Sequence, residues 1–169
     1  MRRPALVTFL TVLLLWALVA QANHYLAEAH VYLFVGGLLV AHAALELPLR
    51  SGMGVSLLIG AICDAHAPVH FGTHALLFAG VHAILFNLRD RLPHEETISR
   101  VLIALFANLA LFLALSFLLI DRSPAPAAAW LRLFADLACS QVFLALIAPW
   151  FFALQARAAL LAQPAPTWL

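Results

Sequence analysis

Apolar residues fall along this chain in six blocks separated by short polar stretches: Ala5–Ala22, Ala29–Leu47, Met53–Cys63, Thr73–Leu88, Ile98–Ile120 and Trp130–Leu154. None alternates with period two, and several approach the ~20 apolar residues that a helix needs to cross a bilayer, so all six are predicted helices. The third and fourth blocks are short. At about 1.5 Å per residue they rise roughly 17 Å and 24 Å, against a hydrocarbon core of ~30 Å. Asp64 is predicted to stop the third block. Between the two lie Asp64, His66, Pro68, His70, Gly72, Thr73 and His74. Either the bilayer thins there or the connection lies at membrane depth, where other protein or trapped water must satisfy its backbone N–H and C=O groups.

Composition turns the pattern into a class. Of 169 residues 65% are hydrophobic and only 10% charged, where a soluble domain carries about 25% charge. Mean hydropathy is +1.00. The reading is one all-α integral membrane domain over residues 1–157, followed by a short cytoplasmic tail over 158–169. A net charge of +1 favours neither nucleic acid nor acidic substrates as partners. Cys63 and Cys139 sit in apolar runs without ligand spacing and read as small apolar residues.

The arginines orient the chain. With the N-terminus inside, Arg2, Arg3, Arg50, Arg89, Arg91, Arg100 and Arg157 fall on the cytoplasmic side and only Arg122 and Arg132 outside. That positive-inside bias predicts six spans with both termini cytoplasmic. Arg2, Arg3, an apolar core and Ala20-Gln21-Ala22 also fit a signal peptide; retention as the first membrane helix is the expectation. The longest cytoplasmic connection, with Pro93-His94-Glu95-Glu96, reads as a loop feeding the next helix.

Eight histidines raise the question of a metal. His66, His70 and His74 would align on a continuous helix, but Pro68 and Gly72 interrupt one, and the remaining histidines are scattered, so no metal site is predicted. His70 and His74 are expected instead as buried polar groups beside Asp64. Asp64 has no cation nearby in sequence. It reads either as a functional carboxylate or as a cap and hydrogen-bond acceptor for the broken segment. Asp136 has Arg132 one turn back, and an i, i+4 ion pair is expected. His94-Glu95-Glu96-Thr97-Ile98 lacks the second histidine of a zinc-protease motif, and Gly54-Val55-Ser56 lacks the next glycine of an intramembrane serine protease. No catalytic residue, cofactor or enzymatic activity is predicted. Gly54, Gly60, Gly72 and Gly80 are the candidates for close helix packing or partner contact, because small residues let helices approach in lipid.

Gly54-x5-Gly60-x3-Asp64, Gly72 opening the next span and Asn87-Leu88-Arg89 closing it resemble the MreD family of bacterial rod shape-determining membrane proteins. Ala148-Pro149-Trp150-Phe151-Phe152-x4-Arg157 is similar to that family's last span. The histidines at 66, 70 and 74 and a tail poor in basic residues depart from the pattern. The resemblance implies about six transmembrane helices with a short third span, in a fold like the substrate-binding components of energy-coupling-factor transporters. It also implies a non-enzymatic role in wall elongation at the bacterial inner membrane. The implied partners are MreC, which has a single span, and through it MreB, a SEDS-type glycan polymerase and a penicillin-binding transpeptidase. The alternative expectation is a small-molecule, vitamin-like substrate-binding component of a membrane transporter, with Asp64 and the histidines lining its pocket.

Overall fold

A computed structural model describes residues 3–91, 96–120 and 126–161, without the side chains of 126–129 and 161. Arg2, Arg122, the expected loop residues Pro93-His94-Glu95, the connection at 121–125 and the tail from 162 lie outside the described residues. Within them the chain is all-helical: α1 (Arg3–Leu26), α2 (Gly36–Glu46), α3 (Leu49–His66), α4 (Thr73–Leu88), α5 (Thr97–Ile120) and α6 (Pro126–Leu161), with 3-10 turns at Ala27–Ala29 and Arg89–Arg91. Among the described residues three stretches are long and apolar enough to cross a membrane: Arg3–Ala29, Thr97–Ile120 and Trp130–Leu160.

The shortest α-helix sits at the centre. α2 is apolar on every side, the pattern of a helix covered all round, and it packs against each of the other five. Leu38, Leu39, Val40 and Ala41 are almost wholly enclosed. The outer helices carry their bulk outward. On α1 the i, i+4 row Leu6, Leu10, Leu14 and Leu18 is exposed, while Ala5, Thr8, Val12 and Val19 face the bundle. Small residues inward and leucines outward suit helices whose surroundings are as apolar as their core.

Two predicted elements differ from those observed. The third helix is not short. It continues through Asp64 to His66, 18 residues in all, or ~27 Å. Asp64 does not end it because its carboxylate is buried against the next helix rather than left in lipid. The helix ends at Ala67 (φ −106°, ψ 148°), where Pro68 disfavours helical backbone for the residue before it. The short element is the second. His30 takes a left-handed turn at φ 58°, residues 31–35 are non-helical, and α2 begins only at Gly36. Val31, Tyr32, Phe34 and Val35 are β-branched or aromatic, types that lose side-chain freedom in a helix.

Candidate functional site

The α3–α4 hairpin is organised by one carboxylate. Asp64, in the last turn of α3, turns its side chain onto the N-terminus of α4. Its Oδ2 accepts the N–H of Gly72 at 2.9 Å and of Ala75 at 3.1 Å, and its Oδ1 accepts the N–H of His74 at 2.8 Å. His74 Nδ1 adds a bond to Oδ1 at 2.8 Å. A helix start leaves its first N–H groups without intrahelical acceptors and carries a partial positive charge, so an anion there is doubly favoured. No side chain from the residue preceding α4 performs this duty; Asp64 does it from across the hairpin.

Two glycines make that reach possible. A Cβ at Gly60 would lie 2.5 Å from Ala75 Cα, so the backbones of α3 and α4 meet where only glycine fits. Gly72 has φ 99°, the region glycine adopts without strain, and it turns the chain into α4.

The second feature is the strap at 31–35, whose backbone is held by side chains from three helices. Asn23 on α1 accepts from Leu33 N–H at 2.8 Å and donates to Leu33 C=O at 2.9 Å. On α6, Asp136 accepts from Tyr32 N–H at 2.9 Å and Ser140 from Phe34 N–H at 2.9 Å. Asn108, midway along α5, donates to Phe34 C=O at 3.1 Å and accepts from Gly37 N–H at 3.0 Å. These polar groups substitute for water at depth, as non-helical backbone in an apolar bundle requires.

Beneath the strap lies a cavity of about 460 Å³, within the range of small-molecule sites. Trp16 from α1, Phe34 and Gly36 from the strap and α2, His74 and Phe78 from α4, and Phe112 from α5 are among its walls. Trp16 meets His66 edge-on at 4.9 Å, and Phe34 meets Phe112 edge-on at 5.9 Å.

Polar contacts elsewhere tie helices together. His82 is fully enclosed, bonds Ser56 at 3.1 Å and lies in the space that the missing side chain of Gly52 leaves. At the far end of α2, Glu46 pairs with Arg100 of α5 at 2.8 Å. His42 packs against Phe151 and Phe152 of α6, with ring centroids 6.4 Å and 6.2 Å away.

Asp64, His74, Gly60 and Gly72 therefore meet in one hairpin. His70 does not join them. It lies on the connection, exposed, and its carbonyl accepts from the Thr73 hydroxyl at 2.7 Å. Among the described residues nothing lies within 4 Å of a Cβ at Gly54 or Gly80. Asp136 is also reassigned: it holds Tyr32 rather than Arg132, and it belongs to none of the ion pairs among the described residues. Among those residues no three metal-ligating side chains converge. The clamps Asn23, Asn108 and Ser140 escape a reading based on charge and motif. Their one signal is polarity in otherwise apolar helices.

No family model matches the chain, no curated protein matches it, and no solved structure matches it.

Proposed function

We propose that this chain is an MreD-like, non-enzymatic scaffold or regulator of bacterial wall elongation, embedded in the inner membrane by six spans with both termini cytoplasmic. The observation that carries the reading is the α3–α4 hairpin. Gly60, Asp64 and Gly72, the positions on which the resemblance rests, act as one device: a close backbone contact, a carboxylate cap and a left-handed turn. The last-span motif has a similar function in packing, since Phe151 and Phe152 are buried against α2. The second span then consists of α2, ~17 Å long, and the five strap residues, which reach at most ~17 Å more. Their sum matches a bilayer core of ~30 Å.

In this reading a single-span partner such as MreC docks through helix faces. Gly54 and Gly80 are the small positions left uncovered for it. The test is purification from source-cell membranes in mild detergent, with co-purifying proteins identified by mass spectrometry. Recovery of an MreC-like protein or a glycan polymerase is expected. The cavity favours a second reading, a small-molecule-binding component of a transporter whose fold resembles that of energy-coupling-factor systems, because a half-unwound span over a pocket is a common substrate-site design. Recovery of an ATPase pair with a membrane coupling subunit, and of no wall-synthesis protein, would replace the first reading by the second.

A further inference from the structure

The cavity under the strap has a chemistry that a scaffold does not use. Its apolar wall is rich in aromatic side chains: Trp16, Phe34, Phe78 and Phe112. Among the described residues that line it, its one carboxylate is Asp136 on α6 and none is an arginine. Asp136 gives one oxygen to Tyr32 N–H, and among the described residues no ion pair offsets its charge.

Two histidines in the wall have their Nδ1 atoms committed. His66 Nδ1 lies 2.9 Å from the Ile62 carbonyl, and His74 Nδ1 lies 2.8 Å from the Asp64 carboxylate. Both partners only accept, so Nδ1 of each ring carries a hydrogen. The opposing influence is the N-terminus of α2 at Gly36, which also lines the cavity. Its dipole is worth about half a positive charge, and the next N–H, that of Gly37, is already taken by Asn108. A full carboxylate charge outweighs it.

We propose that this cavity binds a small organic cation, an ammonium-bearing molecule with an apolar or aromatic body. The aromatic rings attract a cation through their quadrupoles, and the carboxylate pairs with it. A neutral apolar ligand would leave Asp136 unpaired. An anion would face the carboxylate, with no fixed cation among the described lining residues to meet it.

The test uses the full chain purified in mild detergent and four probes built on one ring: benzyltrimethylammonium, benzylamine, benzyl alcohol and benzoate. Thermal unfolding is followed at neutral pH against probe concentration. The two cations are expected to raise the melting temperature, with an apparent Kd ~10-fold or more below that of benzyl alcohol, and benzoate is expected to do nothing. Asp136→Asn keeps an oxygen for the Tyr32 N–H and removes the charge, so it should erase the preference for cations. Equal shifts from all four probes, a shift from benzoate alone, no shift from any, or full selectivity in Asp136→Asn would each overturn the proposal. If that variant does not fold, Trp16→Leu decides in the same way, by loss or retention of cation selectivity. The outcome is independent of the co-purification test, which reads partners and no ligand.

Discussion

Asp64 illustrates how much one buried side chain does in this chain. Its carboxylate receives three backbone N–H groups and one imidazole within 3.1 Å. Removing it leaves three donors buried or half-buried at a helix start. Loss of a cap costs about 0.5–2 kcal/mol, and an unsatisfied buried donor about 1–3. Asp64→Ala is therefore expected to destabilise the protein by about 2–4 kcal/mol, measured by equilibrium unfolding in detergent. His74→Ala should cost clearly less, because the carboxylate keeps its three backbone partners. Equal losses in the two variants would mean that the pair with His74, and not the cap, holds the hairpin. The choice between function and capping, open from the sequence alone, thus becomes a measurable difference between neighbouring side chains.

At the scale of elements the strap is the least helical segment and among the most heavily clamped. Asn108 serves both Phe34 C=O and Gly37 N–H deep in the bundle, and it is fully enclosed. Leucine there has the same branching and no hydrogen-bonding group, so Asn108→Leu strands two backbone groups and should cost about 2–4 kcal/mol. Asn23→Leu strands the two groups of Leu33 as well. Asn23 is only half-buried and lines the cavity, where water can replace it, so its loss should be smaller. Comparable melting temperatures for the two variants would contradict that ordering.

The strap also marks the limit of what the sequence discloses. α4 was legible to the residue, because Gly72 and the polar connection mark its start and Arg89 its end. α1, α5 and α6 were legible as apolar blocks, with ends a few residues out. The break at 31–35 was hidden. Apolar residues continue through it, and hydropathy does not distinguish a helix from a strap three of whose four clamping side chains lie 71 to 106 residues away. Asp64 was visible as an anomaly, but its partners are N–H groups, which every residue but proline supplies and no motif records.

On the scale of the whole molecule, the outside remains as apolar as the inside, and its small positions divide into two kinds. Gly60 is occupied: α4 backbone fills the place of its side chain. Gly54 and Gly80 are uncovered by the described residues, since a Cβ at either meets none of them within 4 Å. The same substitution should therefore do different things. Gly60→Leu forces α3 and α4 apart, draws Asp64 from the α4 N-terminus and lowers the yield of folded protein; a lost partner in that variant says nothing about docking. Gly54→Leu and Gly80→Leu are expected to leave the fold and its melting temperature nearly unchanged, because each leucine projects into space that none of the described residues occupies. If a single-span partner closes on this hairpin as helices do in lipid, through small residues that admit close approach, each leucine should reduce its recovery in mild-detergent purification. Undiminished recovery with both leucines combined in one stable protein would move the docking surface away from the hairpin, to faces where the large exposed side chains of α1 and α6 would have to make the contact.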